Sequence, residues 1–313
     1  MSSTIFLTGA SGLIGQAVRD MLQTRGFSVI GCDLRAAHEA EKYDFRDARN
    51  VQKNINQCDG VIHLGALSRV IWGEQYPALC RSINIDGARA VLSATVGSAR
   101  KPWLIFASSR EVYGTPPALP CSPDTLPNPE NTYAKSKLAG ETMALDLRRH
   151  GNRVAVVRFS NVFGTTTDYH DRVVPAFAKA AANNGILKIR GADNVFDFTT
   201  LDDVVAAVSK TMDALIAGIG DLPPIDIVSG RATSLRDLAE MALAKGGGRI
   251  IIVPPQGFYP KNFQGDPRPA EKLLGWRPQQ VLEEVVGRLV DDFHRIGEKN
   301  AHTKSHTWVS ALL

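Results

Sequence analysis

The chain has 313 residues, a length that predicts two domains or one large one. Apolar residues make up 44% and charged ones 22%, ordinary globular proportions that exclude disorder, collagen and coiled coil. Lys and Arg number 36 against 32 Asp and Glu, and an excess of +4 over this length is too small to propose nucleic acid as a partner.

The first half alternates short β-rich apolar runs with helical patterns. Residues 4–8 read as a strand and 13–25 as a helix ended by Gly26. A second strand covers 28–32, and a polar helix around 47–57 precedes a third strand at 60–64. A long helix near 77–98 leads to a strand at 103–107, a helical stretch at 129–150 and a strand at 154–158. Strands alternating with helices of this length mean βαβ units, hence an α/β fold with a doubly wound parallel sheet.

The second half is less regular. It reads as a helix at 172–183, a strand at 187–190, a helix at 201–217 capped by Thr199 or Thr200, and a strand at 225–228. Residues 234–245 form a helix with Ser234 as N-cap and three glycines beyond its end. Residues 254–269 hold five prolines and two glycines and read as a loop, followed by an amphipathic helix near 279–296. The expected division is a dinucleotide-binding domain over 1–165 and about 197–228, a smaller loop-rich C-terminal substrate lobe over about 166–196 and 229–297, and a tail at 298–313. From His294 onward, Arg295, Lys299 and Lys304 face only Glu298, so +2 of the +4 belongs to the chain end and the body is near neutral.

No stretch approaches the roughly 18 apolar residues of a membrane span. The run MSSTIFLTGASGLIG has no basic residue before Arg19, and Thr8, Gly9 and Ser11 interrupt it, so it reads as structural rather than as a signal peptide. Cys32, Cys58, Cys80 and Cys121 are far apart with no C-x-x-C, fitting neither a disulfide framework nor a metal site. Reduced thiols in a cytoplasmic protein, with no membrane contact and no metal, are the expectation.

The first strand runs into Gly9-Ala10-Ser11-Gly12-Leu13-Ile14-Gly15 and then a helix. This is a variant of the G-x-G-x-x-G fingerprint: a tight turn, no Cβ where backbone meets pyrophosphate, and close helix–strand contact. The helix N-terminus offers free N–H groups to phosphates. Asp33, at the end of the second strand, can accept from adenosine ribose hydroxyls and repels a 2′-phosphate, which favours NAD over NADP; Arg35 is the group that would instead take that phosphate. Asp44 and Phe45 would lie near the adenine.

Tyr133 and Lys137 are spaced i, i+4 at the start of a helix, hence on one face. That suits a tyrosine used as a base, since a phenol near pKa 10 is inert at neutral pH and a nearby ammonium favours phenolate. The hydroxyl partner is Ser108 or Ser109, where the fourth strand ends.

With TGASGLIG, Asp33, HLGA at 63–66, SINIDGARAVL at 82–92, SSREVYG at 108–114, YAKSK at 133–137, RFSNVFG at 158–164, FDFTTLDDVV at 196–205 and KLLGW at 272–276, the chain resembles the extended short-chain dehydrogenase/reductase family, in its NAD-dependent nucleotide-sugar epimerase/dehydratase branch. The resemblance implies a Rossmann-type sheet and NAD as a recycled cofactor. It makes Tyr133 the catalytic base, Lys137 its pKa-lowering partner that also binds the nicotinamide ribose, and Ser109 the hydroxyl that bonds the reacting sugar hydroxyl. Leu64, Gly65, Ala66 and Ala107 would line the cofactor, while Asn84, Asn161 and Ser108 would approach sugar or phosphate. The implied reaction is transient oxidation of a sugar 4-hydroxyl to a 4-keto sugar that takes hydride back on its other face, in a likeness to UDP-hexose 4-epimerisation and in a homodimer.

Two departures stand out. Family members that eliminate water or decarboxylate carry a glutamate at Glu111 after Thr-Asp or Thr-Ser; here the triplet is Ser109-Arg110-Glu111, and Arg110 is a poor proton donor. That favours epimerase over dehydratase, decarboxylase or dehydrogenase. A non-catalytic NAD-binding regulator is a further alternative, although such relatives usually lose the Tyr/Lys pair. The family pattern also places an arginine before Asp-Phe/Tyr to grip the diphosphate; Phe196 stands there, and a second arginine position near Pro255-Gln256-Gly257 offers none. Arg190, Arg172, Lys261 or Arg268 would have to substitute, and Arg110 itself falls among the substrate-facing residues.

Overall fold

The computed structural model describes residues 3–122, 124–254 and 262–299. The tail from residue 300, Lys261 and the Pro255-Gln256-Gly257 stretch lie outside the described residues. In chain order, β1 (Thr4–Thr8), α1 (Leu13–Thr24), β2 (Ser28–Cys32), α2 (Ala48–Ile55), β3 (Gly60–His63), α3 (Val70–Gln75), α4 (Pro77–Arg81), α5 (Ala88–Gly97), β4 (Trp103–Ser109), α6 (Thr132–Asp146) and β5 (Val154–Phe159) make the first half. There follow β6 (Asn161–Phe163), α7 (Val173–Ala182), β7 (Ile186–Ile189), β8 (Val195–Thr200), α8 (Leu201–Ile216), β9 (Ile225–Ile227), β10 (Ala232–Ser234), α9 (Leu235–Lys245), β11 (Arg249–Ile252), α10 (Arg268–Leu274) and α11 (Leu282–Lys299).

The described residues divide into two compact units, one within Met1–Val162, Val195–Thr233 and Pro260–Gln280, the other within Phe163–Asn194, Ser234–Tyr259 and Val281–Leu313. In the first, six strands lie in the order β2-β1-β3-β4-β5-β9, all parallel. From β1 the chain goes to β2 on one side and then crosses back to β3 on the other, so the switch point where such sheets bind ligands lies between β1 and β3. Side chains alternate across the sheet. Ile5 and Leu7 of β1 and Ile105 of β4 pack with Val18 and Leu22 of α1 and Val204, Val208 and Met212 of α8. Phe6, Leu104 and Phe106 point the other way, onto Val51 and Ile55 of α2 and Val91 of α5. Burying both faces is what makes these strands read as continuous apolar runs.

The helix expected near 77–98 is α4, a π-helical turn at Ser82–Gly87 and α5. The caps fall where the sequence places them: Thr200 accepts from the Asp203 N–H, and Ser234 forms a capping box with Asp237. α3, β6, β8, β10, β11 and α10 were not anticipated. α10 takes only the last two residues of the 254–269 loop, with Pro267 and Pro269 at its start, where a missing N–H costs nothing.

Residues 262–280 group with the first unit, whereas the sequence places them in the second lobe. Specific bonds explain this. Trp276 Nε1 donates to the Asp203 carbonyl at 3.1 Å, and the Asp203 carboxylate accepts from the N–H groups of Gln279 at 2.8 Å and Gln280 at 3.3 Å. In the second unit, α7, α9 and α11 pack on one another beside the parallel pair β7–β11. Among the described residues no helix is long and apolar enough to cross a membrane, and no group of His, Cys, Asp or Glu could hold a metal ion. All four cysteines are free and buried.

Candidate active site

The glycine run forms a cradle at the switch point. Gly9 turns the chain out of β1 at φ +69°, and a Cβ there would lie 2.8 Å from the Gly65 nitrogen, just beyond β3. A Cβ on Gly15 would come within 2.0 Å of the Gly9 carbonyl oxygen. Thr8 fixes the second wall: its Oγ1 accepts from the Gly65 N–H at 3.0 Å and bonds His63 Nδ1 at 2.7 Å. Burial pushes the His63 imidazole down to about 3, so the ring is neutral. Phe45 packs against Gly65 and Gly87 and meets His63 edge-on at 5.4 Å.

At the mouth of the cradle α1 starts at Gly12, with no side-chain cap and no acidic residue in its first turn. Its free N–H groups and positive dipole end suit an anion. Asp33 is buried and aimed at this loop, accepting from the Ser11 N–H at 3.0 Å and the Arg35 N–H at 2.8 Å. A carboxylate has about four acceptor sites, so some remain for a ligand. The Arg35 side chain is half exposed and reaches Asp33 at only 3.5 Å. The Asp44 carboxylate is taken by Arg46, which donates from its backbone N–H at 2.8 Å and from Nε at 2.9 Å.

Tyr133 and Lys137 sit on α6 and are both buried. Asn131, a residue the sequence reading passed over, caps this helix by accepting from the Ala134 N–H at 2.8 Å, and its Nδ2 donates to Glu111 Oε2 at 3.0 Å. The Asn-Thr-Tyr order at a helix start was the available signal. Lys137 Nζ donates to the Ala107 carbonyl near the end of β4 at 2.9 Å. Burial lowers its ammonium to about 8, partly countered by neighbouring Cys80 and Glu141. Beside it Ser108 Oγ is buried with no hydrogen-bond partner, and Ser109 Oγ accepts from the Glu111 N–H at 3.2 Å. A buried hydroxyl without a partner at a strand end, a glycine cradle that no Cβ could enter and a helix N-terminus without a side-chain cap together fit a dinucleotide.

The remaining expected residues divide. Asn161 is half-buried, with Nδ2 donating to the Asp197 carbonyl at 3.2 Å. Asn84 is buried. Its Oδ1 accepts from the Leu67 N–H at 2.7 Å while Nδ2 donates to the Leu67 carbonyl at 3.1 Å and Ser136 Oγ at 2.9 Å, so its amide is spent holding the segment after β3 to α6. Glu111 carries Arg110 on Oε1 at 2.8 Å and Asn131 on Oε2, so both oxygens are engaged. Arg190 is an exposed residue of the second unit, just past β7. Arg172 pairs with Asp168 at 3.2 Å, and Arg268 pairs with Asp266 at 2.6 Å with its side chain exposed.

Behind α6 lies a network that spacing alone did not reveal. Arg158 of β5 binds Glu141 bidentately and donates to the Tyr113 hydroxyl at 2.7 Å. That hydroxyl in turn donates to Asp226, whose carboxyl burial pushes up to about 7.

The comparisons agree with this geometry. Residues 5–220 match the family model "NAD dependent epimerase/dehydratase family". The chain is 30% identical over 314 residues to a UDP-glucose 4-epimerase of Mycolicibacterium smegmatis, covering 92% of this chain and 97% of that one. It is 28% identical over 290 residues to a UDP-N-acetyl-alpha-D-glucosaminuronate decarboxylase of Bacillus cytotoxicus, covering 85% and 88%. The solved UDP-glucose 4-epimerase of Thermotoga maritima, crystallised with UDP-glucose, superposes with a TM-score of 0.85 at 25% identity over 94% of this chain and 99% of that one. The glycine cradle at the switch point, the Tyr133/Lys137 face and a match over more than half the chain have one meaning: the chain belongs to the NAD-dependent epimerase/dehydratase family.

Proposed function

We propose that the protein is an NAD-dependent nucleotide-sugar 4-epimerase acting through a transient 4-keto sugar. The observation that carries this reading is the buried Lys137 ammonium, fixed on the Ala107 carbonyl one helical turn from Tyr133, with the unpartnered Ser108 hydroxyl on the same strand end. NAD would bind with its pyrophosphate at the start of α1 and its adenosine ribose at Asp33, and supplies a reversible hydride acceptor. Lys137 favours phenolate at Tyr133, which takes the proton of the sugar 4-hydroxyl and returns it. Ser109 orients that hydroxyl. The curated UDP-glucose 4-epimerase relative supports a UDP-hexose as the substrate class.

A lyase reading is favoured by the decarboxylase relative and by the presence of Glu111. Against it, the residue before Glu111 is Arg110, a poor proton donor for a departing hydroxyl, and it pairs with Glu111 Oε1 at 2.8 Å. The epimerase reading carries with it a cytoplasmic homodimer, checked by light scattering. The test of activity is incubation of the NAD-loaded protein with UDP-hexoses and resolution of the products. Interconversion with no net NADH supports the proposal; loss of water, or no turnover of any such sugar, overturns it.

A further inference from the structure

The network behind α6 meets the site through Tyr113. Ser108, Arg158 and Asp226 stand in register across β4, β5 and β9, so their side chains share one face of the sheet, the face on which Arg158 reaches α6. Tyr113 closes the 3-10 turn Arg110–Tyr113, which starts from Ser109, and it is buried. Its ring stacks on Phe263 at 6.2 Å and lies 4.9 Å from the Arg158 Cζ. Its hydroxyl accepts from Arg158 Nη1 at 2.7 Å and shares its proton between the two Asp226 oxygens, at 2.9 and 2.8 Å. Arg158 spends Nε and Nη2 on Glu141, which lies one turn beyond Lys137 on α6. One phenol oxygen therefore joins the strand end that carries Ser108 and Ser109 to the helix that carries Tyr133 and Lys137. A second link between the same elements is the bond from Lys137 Nζ to the Ala107 carbonyl.

We propose that Tyr113 is a positioning residue for the reaction, its hydroxyl holding the turn at Ser109 in place against Tyr133 and Lys137 through Arg158 and Glu141. This deepens the proposed function and rests on its use of those three residues. Asp226 makes the tie depend on pH. Its carboxyl is buried and is faced by Tyr113 from the turn, Arg158 from β5, Glu141 from α6, Asp197 from β8 and the Cys121 thiol. Arg158 is the cation of this set and is gripped by Glu141, so burial and the neighbouring carboxylates push Asp226 up to about 7. Above that pH the carboxylate only accepts, and the phenol proton has a charged partner. Below it Asp226 carries an O–H of its own while the Tyr113 oxygen already receives an Arg158 N–H, so the two protons compete and the tie slackens.

The test is the pH dependence of kcat for UDP-hexose turnover by the NAD-loaded wild type, Asp226→Asn and Tyr113→Phe. The wild-type rate falls on the acid side through about 7. Asp226→Asn, whose amide oxygen still accepts from the phenol and does not titrate, loses that limb. Tyr113→Phe keeps the ring and removes both bonds, so its plateau kcat falls about 10- to 100-fold at unchanged KM, the effect of a misplaced reacting group, and no acid limb remains because Asp226 acts through the phenol. An acid limb at the same pH in all three proteins belongs to Tyr133 itself and overturns the inference, as does a Tyr113→Phe kcat equal to wild type. Amide hydrogen exchange across Arg110–Tyr113 needs no turnover. Corrected for intrinsic rates, it is faster in Tyr113→Phe than in the wild type, and faster in the wild type below pH 7 than in Asp226→Asn. That exchange pattern without turnover of any sugar sinks the proposed function and leaves the tie standing. Turnover with exchange and acid limb alike in all three proteins does the reverse. Asp226→Asn carries both measurements if Tyr113→Phe does not fold.

Discussion

Arg158 grips Glu141 through two parallel hydrogen bonds, Nε to Oε1 at 2.9 Å and Nη2 to Oε2 at 2.7 Å, with both side chains almost wholly buried. The pair ties β5 to α6 one turn beyond Lys137. Removing one partner strands a buried charge, which costs about 3–5 kcal/mol. Arg158→Met and Glu141→Gln are each expected to lower the unfolding free energy by that much in urea denaturation, while the double variant Arg158→Met with Glu141→Leu recovers a large part. Single variants within about 1 kcal/mol of wild type, the range of exposed pairs, would show that the pair contributes nothing of this kind.

His63 sets an acid limit. Its folded-state value of about 3 lies below the ordinary 6.5, so below pH 6.5 the unfolded chain binds a proton that the native ring refuses. Stability contributed by the neutral ring is full above 6.5 and is lost as pH falls, by up to about 1.4 kcal/mol per pH unit. Denaturation midpoints at pH 7 and pH 5 should therefore differ more in the wild-type protein than in His63→Gln. Parallel profiles would count against a neutral buried ring.

The glycines of the first unit are not equivalent. A methyl on Gly15 meets the Gly9 carbonyl, whereas Gly26 at φ +82° has nothing within 4 Å. Gly26→Ala is expected to cost about 1 kcal/mol of backbone strain and to leave NAD affinity untouched. Gly15→Ala closes the cradle and is expected to reduce NAD binding, read by fluorescence titration, below detection. Normal NAD affinity in Gly15→Ala would mean the cofactor binds elsewhere.

For the reaction itself, Tyr133→Phe is expected to lower kcat by roughly 10²–10⁴-fold, the worth of a positioned acid–base group, with NAD still bound. Lys137 loses its proton near pH 8, so the alkaline limb of the rate profile should fall through about 8 as its positive charge disappears. Lys137→Arg keeps the charge at higher pH and removes that limb. A wild-type rate unchanged up to pH 10 would exclude a role for the ammonium.

What could be read ahead of the structure was what is local in the chain. β1 to β5 announced themselves as apolar runs bounded by polar turns, because both faces of the sheet are covered. The glycine cradle and the Tyr133/Lys137 spacing each fall within a handful of residues, and so do the Thr200 and Ser234 caps. Residues whose partners are distant were misjudged or missed. Asn84, assigned to the substrate by resemblance, has partners in Leu67 and Ser136 that nothing near it in sequence announces. Glu141 and Arg158 stand 17 residues apart on a helix and a strand, with no local pattern to announce that they pair. β8 escaped notice because its run continues straight into α8 without a break.

Asp197 is wholly buried on β8, and its carboxylate collects the N–H and hydroxyl of Ser229, the N–H of Gly230 and the N–H of Gly265. The last of these donors is made 68 residues after the acceptor. During synthesis the nucleotide-binding half therefore emerges with one of its buried charges incompletely satisfied, and it stays so until the ribosome has passed residue 265. Folding of the first unit is thus tied to near-completion of the whole chain, and a nascent chain arrested before that point presents complete strands around a carboxylate still short of a donor.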